Sequence, residues 1–240
     1  MSRDDHKNHE PRDWLEYAPS PGLLEDRIIL VTGATSGIGL AVSRALLRRG
    51  ATVILHGRDS RKLDTAHEEL KRLGPEPVCV PLDLERAQGP DYQRLVDSIE
   101  ARFGRLDGLL HNAAILGDRS PIEHYDIGLW QRVMHVNVNA SFILTRCLVP
   151  LLRLSQDATI VFSTSTVGHV AKAYWGAYAV SKFATEGLAQ ILAVELEHAR
   201  IRVNYINPGA TRTSMRRRAY PAEDPASLKT PEEITTPYLY

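Results

Sequence analysis

Short apolar runs rich in β-branched residues alternate with amphipathic segments along most of the chain. Several runs show no polar alternation, as is typical of strands buried on both faces of a sheet. They cover residues 28–31, 52–55, 78–80, 109–110, 159–162 and 201–206. Helical spacing of apolar residues marks the segments 40–49, 61–73, 92–103, 129–152 and 177–198. Strands that alternate with helices predict right-handed βαβ crossovers and a parallel sheet.

No Pro/Gly-rich linker interrupts this alternation, so we predict one α/β domain over residues 26–240. Residues 1–25 are predicted to be an N-terminal arm, because polar residues and proline dominate its first half. Trp14, Leu15 and Tyr17 could pack its second half against the domain or against a partner subunit. The last part of the chain is Pro-rich, with a short helix candidate near Pro231 and no visible seventh strand.

Composition narrows the functional classes. The 240 residues carry 29 Lys plus Arg and 29 Asp plus Glu, so no net field favours nucleic acid or an anionic membrane. Cys79 and Cys147 are interpreted as reduced thiols, which suits a cytoplasmic location. No apolar run is long enough to span a bilayer, and residues 1–10 lack a signal-peptide pattern. No His/Cys cluster has metal-ligand spacing, so we expect no metal.

A glycine-rich turn lies between the first strand and the first helix. The strand at 28–32 leads directly into Gly33-Ala34-Thr35-Ser36-Gly37-Ile38-Gly39 and then into an apolar-periodic helix. Glycines allow a tight turn and close approach of the backbone to a pyrophosphate. The free N–H groups and the dipole at the start of the helix would then stabilise the phosphate charge. The context of strand, turn and helix predicts nucleotide binding.

Tyr178 and Lys182 form a candidate acid–base pair. Residues four apart share one face of a helix, so both side chains point the same way. A tyrosine has a reference pKa of about 10, and a nearby ammonium lowers it towards working pH. Alone, this spacing is common on exposed helix faces. Here it follows a nucleotide cradle and a strand that ends in the hydroxyl-bearing residues 163–166.

These motifs together resemble the short-chain dehydrogenase/reductase family over residues of about 26–215. The resemblance rests on Thr-Gly-x-x-x-Gly-x-Gly at 32–39, Asn-Ala-Ala at 112–114, Tyr-x-x-x-Lys at 178–182 and Pro-Gly at 208–209. It implies a single-domain Rossmann fold, a doubly wound parallel sheet flanked by helices. Within the family, the closest likeness is to a bacterial subgroup of uncharacterised short-chain oxidoreductases.

The resemblance implies four catalytic residues: Asn137, Ser165, Tyr178 and Lys182. Tyr178 would exchange the proton of the substrate oxygen, which Ser165 would position. Lys182 would bind the nicotinamide ribose and lower the pKa of Tyr178. Asn137 would hold a relay water and reach Lys182. Ser163 is the structural alternative to Ser165.

The resemblance also implies a set of cofactor-binding residues: Gly33, Thr35, Ser36, Gly37, Ile38, Gly39, Arg58, Asp83, Leu84, Asn112, Ala113, Ala114, Tyr178, Lys182, Pro208, Gly209, Thr211 and Thr213. Gly57 occupies the position of the acidic residue that selects NAD(H), and Arg58 follows it, so NADP(H) is favoured over NAD(H). Asp59 counts against this unless it caps the next helix. The alternative role of Asn112 is structural, as a bridge between strand ends.

The expected function is therefore NADP(H)-dependent interconversion of a carbonyl and an alcohol on a small-molecule substrate. The alternative is a catalytically silent NADP(H)-binding sensor or interaction protein on the same fold. In the family, helices such as 129–152 and 177–198 form the subunit interface, so a homodimer or homotetramer is expected, with no nucleic acid or membrane partner. Residues 214–231 would form the substrate loop. Its basic residues would either attract an anionic substrate or be solvated; they are Arg216, Arg217 and Arg218, preceded by Arg212.

Overall fold

Six parallel strands form one sheet in the computed structural model, which describes residues 17–239. The strands are β1 (Ile28–Thr32), β2 (Thr52–Gly57), β3 (Val78–Pro81), β4 (Gly108–His111), β5 (Ala158–Ser163) and β6 (Ile201–Ile206). Their order is β3-β2-β1-β4-β5-β6, so the direction of winding reverses between β1 and β4. In open α/β sheets a ligand crevice lies at such a reversal, beyond the carboxyl ends of the strands. The predicted fold class is confirmed.

The helices lie close to the five predicted segments, with two differences: one segment is divided, and a short helix at Ser214–Ala219 lies in the predicted substrate loop, where no helix was predicted. The helices are α1 (Gly37–Leu47), α2 (Ser60–Leu70), α3 (Gly89–Phe103), α4 (Ile127–Met134), α5 (Ala140–Leu152), α6 (Gly176–Glu195) and α7 (Ser214–Ala219). The predicted helix at 129–152 is divided into α4 and α5 by a π-helical turn at His135–Asn139. A π-turn accommodates one extra residue in a helix and often marks a functional site.

Hydrophobic residues on both faces of the sheet explain the absence of polar alternation. Leu30 and Ile54 point into one core cluster, which α3, α5 and α6 cover. The neighbouring Val31 and Val53 point into the other, which α1 and α2 cover.

In the described chain, the helical run Ile127–Leu152 is long and apolar enough to cross a membrane by length and composition. Half of the apolar part of this run is buried inside the fold.

The predictions for the N-terminal arm and for the last part of the chain can be compared with the structure over the described residues. Trp14 and Leu15 lie outside the described residues. Leu24 packs against the core cluster beneath α1 and α2, and its N–H donates to the Arg49 carbonyl at 2.9 Å. After β6, residues 207–239 add α7, three short 3₁₀ turns and a single bridge between Thr211 and Lys229, but no further strand.

Candidate active site

A cleft of about 510 Å³ opens at the carboxyl ends of the strands, beside the reversal between β1 and β4. Its walls include every predicted cofactor-binding residue except Gly39. Ser165, Tyr178 and Lys182 also line it, whereas Asn137 does not. The fold thus brings residues from seven separate segments, between Gly33 and Thr213, to one depression.

The glycine turn allows α1 to approach β1 closely. A Cβ atom on Gly39 would lie 2.3 Å from the Gly33 carbonyl oxygen, so Gly39 serves helix–strand packing and does not face the cleft. Gly33 has a φ of +67°, in the left-handed region that favours glycine. Ser36 is the N-cap residue of α1, yet its side chain makes no capping hydrogen bond. The first N–H groups of α1 therefore lack a side-chain acceptor, as a phosphate site requires.

Thr32 and Asn112 join the glycine turn to the end of β4. The Thr32 hydroxyl accepts hydrogen bonds from the N–H groups of Asn112 and Ala113, at 2.9 and 3.0 Å. Asn112 Nδ2 donates to the carbonyl oxygens of Thr32 and Gly33, at 3.2 and 3.4 Å. Asn112 thus bridges two strand ends and also lines the cleft, so its two predicted roles are compatible.

Space and charge at the end of β2 suit a phosphate. A Cβ atom on Gly57 would lie 2.8 Å from Thr35 Cγ2, which leaves little room for an acidic side chain. Arg58 and Lys62 are exposed on the cleft wall, and neither forms an ion pair within the described residues. Asp59 caps α2, accepting from the N–H groups of residues 61 and 62 at 3.0 and 3.3 Å. The capping interpretation of Asp59 therefore agrees with the structure.

His56 is a cleft residue that the sequence analysis did not identify. It is buried, and neither ring nitrogen has a hydrogen-bond partner in the described chain. Burial lowers its pKa to about 4, so the ring is neutral at physiological pH. As the fifth residue of a hydrophobic strand, His56 belongs to no recognisable motif.

Tyr178, Lys182 and Ser165 meet at the opposite end of the cleft. Lys182 Nζ donates to the Ser163 carbonyl oxygen at 2.7 Å and lies 5.6 Å from the centre of the Tyr178 ring. The Ser165 side chain is hydrogen-bonded to Tyr178. The Ser163 hydroxyl instead contacts Asn112 Oδ1 at 3.5 Å and Tyr238 Oη at 3.2 Å. Of the two candidate serines, Ser165 is the one beside Tyr178.

Burial dominates the protonation of this group. It raises the pKa of Tyr178 to about 12, although the Ser165 hydrogen bond acts in the opposite direction. It lowers the pKa of Lys182 to about 8, against the charge of Glu186. The pKa of Tyr178 is therefore raised and not lowered as expected, because the loss of solvent on burial disfavours the phenolate.

Asn137 is hydrogen-bonded to two segments near Tyr178. Its Oδ1 accepts from the Ile115 N–H at 2.8 Å, and its Nδ2 donates to the Ile115 carbonyl at 3.0 Å and to Ser181 Oγ at 2.9 Å. Among the described residues, no direct hydrogen bond joins it to Lys182. The Asn137 amide, which lies in the π-turn, joins the loop after β4 to α6, the helix that carries Tyr178.

Comparison with known proteins identifies the family. The sequence model for short chain dehydrogenases matches residues 27–224. The chain belongs to the short-chain dehydrogenase family. It is 49% identical over 227 residues to YciK, an uncharacterised oxidoreductase of Escherichia coli, and the match covers 94% of this chain and 90% of YciK.

Two solved structures of this family carry the cofactor. A short chain dehydrogenase from Shigella flexneri complexed with NADP is 48% identical, with a TM-score of 0.90 over 92% of each chain. One from Escherichia coli complexed with NADPH is 50% identical, also with a TM-score of 0.90 over 92% of each chain. The predicted family membership is confirmed.

The substrate end of this short-chain dehydrogenase has apolar walls and a basic rim. Leu116, Trp175, Met215 and Ala219 line it beside Tyr178. The Trp175 indole Nε1 is buried and has no hydrogen-bond partner within residues 17–239.

Within residues 17–239, no group of three or more His, Cys, Asp or Glu side chains could hold a metal ion.

The basic residues in and beside the predicted substrate loop fall into two groups. Arg216 donates two hydrogen bonds to the Glu223 carboxylate, at 2.6 and 2.5 Å, and lies 3.9 Å from the centre of the Tyr220 ring. Arg212, Arg217 and Arg218 are exposed. Arg218 lines the cleft and has no ion-pair partner in the described part of the chain. The loop is therefore partly solvated and partly tied to the domain.

Proposed function

We propose that this protein is an NADP(H)-dependent oxidoreductase that interconverts a carbonyl and an alcohol. The observation that carries the proposal is the meeting of Ser165, Tyr178 and Lys182 at one end of a cleft whose other end presents Arg58. A silent NADP(H)-binding sensor would not need this buried acid–base group. The two relatives complexed with NADP or NADPH support the choice of cofactor.

The residues of the cleft fit a nicotinamide dinucleotide phosphate. Uncapped N–H groups at the start of α1 would bind the pyrophosphate, and the glycines leave space for it. Arg58, with Lys62 beside it, would bind the 2′-phosphate, because Gly57 leaves no carboxylate to repel it. Asp83 and the Asn112–Ala114 turn would flank the adenosine and nicotinamide halves. When bound, the nicotinamide supplies or accepts the hydride.

Tyr178 is suited to donate the proton. Its pKa of about 12 keeps the hydroxyl protonated at neutral pH, which is the form that a carbonyl reduction consumes. Ser165 would orient the substrate oxygen next to that hydroxyl. Lys182, charged below its pKa of about 8, would bind the ribose and stabilise the phenolate left after transfer. Asn137 would hold the loop after β4 against α6 and so fix the geometry.

The substrate chamber favours a compound with an apolar body. Its walls consist of the side chains of Leu116, Trp175, Met215 and Ala219. The Trp175 N–H and the unpaired Arg218 could donate hydrogen bonds to a second oxygen-containing group away from the reacting carbonyl. We therefore propose an apolar or aromatic ketone, aldehyde or alcohol as the substrate class. A cytoplasmic location remains a prediction of the sequence.

The test is NADPH oxidation with a panel of ketones, aldehydes and quinones, for the wild type beside Tyr178→Phe. We expect the variant to lose at least about 10²-fold in turnover, the low end of general acid catalysis. It should still bind NADPH, measured by the fluorescence of the bound nicotinamide. Turnover by Tyr178→Phe near that of the wild type would refute the assignment. Bound NADPH with no turnover of any compound would favour the sensor.

A further inference from the structure

Glu186 is a buried carboxylate for which the proposed reaction has no assigned role. It lies on α6, four residues after Lys182, so the two side chains share one face of the helix. Only 7% of its side-chain surface is exposed. A buried carboxylate is costly unless it is hydrogen-bonded and balanced by charge. The structure provides both the hydrogen bonds and the balancing charge, and the residues that provide them belong to the catalytic group or lie beside it.

One residue on each side of Ser165 contacts the same carboxylate oxygen of Glu186. Thr164 Oγ1 donates to Oε1 at 2.5 Å, and His169 Nδ1 lies 3.3 Å from the same atom. Gly168 makes this possible, because a Cβ atom there would lie 2.5 Å from Oε1 and 3.1 Å from Lys182 Cβ. The loop from Thr164 to His169 is thus attached to α6 at both ends, with Ser165 between the attachments.

The charge of Glu186 acts on Lys182. Burial removes solvent from the ammonium and lowers its pKa, and the Glu186 carboxylate is the group that opposes this effect. The other titratable groups facing Lys182 are Tyr178 on the same helix and His111 on β4. Both are neutral near pH 7, because burial raises the pKa of Tyr178 to about 12 and lowers that of His111 to about 3. Apart from Lys182, the titratable group facing Glu186 is the half-exposed His169.

We propose that Glu186 is a positioning residue of the active site, which holds the Ser165 loop through Thr164 and His169 and keeps Lys182 in its charged form. The inference rests on the proposed oxidoreductase function for its catalytic consequence. Its electrostatic part concerns the protein without cofactor or substrate and can be tested separately.

Two substitutions separate the charge from the hydrogen bond. Glu186→Gln keeps an oxygen acceptor for Thr164 and removes the charge. Thr164→Val keeps the charge and removes the hydrogen bond. Glu195→Gln, at the exposed end of the same helix, is the matched control. Circular dichroism and thermal melting show whether each variant is folded.

The first readout is the protonation of Lys182 in the cofactor-free protein. Lysine labelled with ¹³C and ¹⁵N is titrated by NMR, and the Lys182 signal is assigned by its absence in Lys182→Met. We expect a midpoint near 8 in the wild type. Glu186→Gln should lower it by about one unit or more, the effect of a nearby charge in a partly buried site. Thr164→Val and Glu195→Gln should leave it unchanged. An unchanged midpoint in Glu186→Gln overturns the proposal.

The second readout is the pH dependence of turnover with the best substrate of the panel. Glu186→Gln should retain nearly wild-type kcat at pH 6 and lose about tenfold at pH 9, since one pKa unit changes the charged fraction tenfold. Thr164→Val should lower kcat at every pH without shifting the alkaline limb. A uniform loss in Glu186→Gln would indicate a merely structural role and would overturn the proposal. If Tyr178→Phe remains active, the proposed function is refuted. The NMR titration would still show whether the charge of Glu186 raises the pKa of Lys182.

Discussion

Lys182 Nζ lies 5.6 Å from the centre of the Tyr178 ring, with both side chains almost fully excluded from solvent. In water, an ammonium at this distance would make the phenol more acidic. Here the same burial that holds the two groups together raises the pKa of the phenol and lowers that of the ammonium. The pair is therefore a protonated acid beside an ammonium that is easily deprotonated.

The buried charge of Lys182 predicts a cost in stability. Its pKa in the folded protein, about 8, lies below the ordinary value of 10.5, so the charged form is disfavoured by folding. The wild type should gain stability between pH 8 and 10.5, because there the unfolded chain binds more protons. Lys182→Met removes this titration and should abolish activity, so the wild type should gain about 2 kcal/mol relative to the variant between pH 7 and pH 9.5.

Urea denaturation at pH 7 and pH 9.5 measures this gain. Lys71→Met is the control, because Lys71 is half-buried at the end of α2 and pairs with Glu68. Relative to this control, the wild type should gain less than about 1 kcal/mol over the same pH range. A wild type that gains no stability relative to Lys182→Met between the two pH values would contradict the prediction.

Cofactor selectivity should depend on Arg58. Arg58→Ala should weaken NADPH binding about 10- to 100-fold, the value of a lost charge-assisted hydrogen bond, and change NADH binding little. Isothermal titration with each cofactor gives both affinities. Arg61→Ala is the matched control, because Arg61 is exposed on the adjacent helix and does not line the cleft. Equal losses for the two cofactors would remove Arg58 from the 2′-phosphate site.

Close packing at the glycine turn should be intolerant of a methyl group. Gly39→Ala would place a Cβ atom 2.3 Å from the Gly33 carbonyl oxygen and 2.6 Å from Asn112 Nδ2. We expect a loss of about 1–3 kcal/mol in stability from overpacking, together with weaker NADPH binding as α1 shifts. Gly89→Ala, at the start of α3 with nothing within 4 Å of the added atom, should be nearly neutral. Similar melting temperatures for the two variants would argue against the packing role.

An exposed apolar surface on α5 and α6 predicts self-association. Phe142 and Phe183 are about half exposed, and Val180, Ile191 and Val194 are exposed on α6. We expect a homodimer or homotetramer in solution, which Phe142→Glu combined with Phe183→Glu should dissociate without unfolding the protein. Light scattering after size-exclusion chromatography measures the mass. Leu154→Glu, exposed beyond the end of α5, is the control; a monomeric wild type would refute the prediction.

Much of the fold could be predicted because its strands are buried on both faces. Neighbouring residues such as Leu30 and Val31 enter opposite clusters, so each strand appears in the sequence as an uninterrupted apolar run. The residues of the cleft were predicted from the glycine turn at 32–39, from Tyr178 and Lys182, and from the family resemblance that these motifs carry. The order of the strands, and with it the point of reversal, came only from the structure.

Features that depend on packing between distant segments could not be predicted in this way. In the sequence, Glu186 looks like an ordinary polar residue of an amphipathic helix. It is buried because the loop from Thr164 to His169, which is distant in sequence, packs against it. The pKa of Tyr178 was predicted from its neighbour four residues away, which takes no account of burial. The π-turn leaves no mark in the apolar pattern, because the extra residue simply continues the run at 129–152.

Because of that extra residue, the number of residues between α4 and α5 is itself constrained. Deleting one residue from His135–Asn139 would convert the wide turn into an ordinary α-helical turn, which keeps the faces of α4 and α5 in register but removes the local widening around Asn137. Leu144 and Leu148 would then stay in the core, whereas the Asn137 amide would lose its position between Ile115 and Ser181. Substitutions along this helix can be absorbed one side chain at a time, but a single-codon deletion cannot. We therefore expect insertions and deletions to accumulate in the surrounding loops and to be absent from this turn.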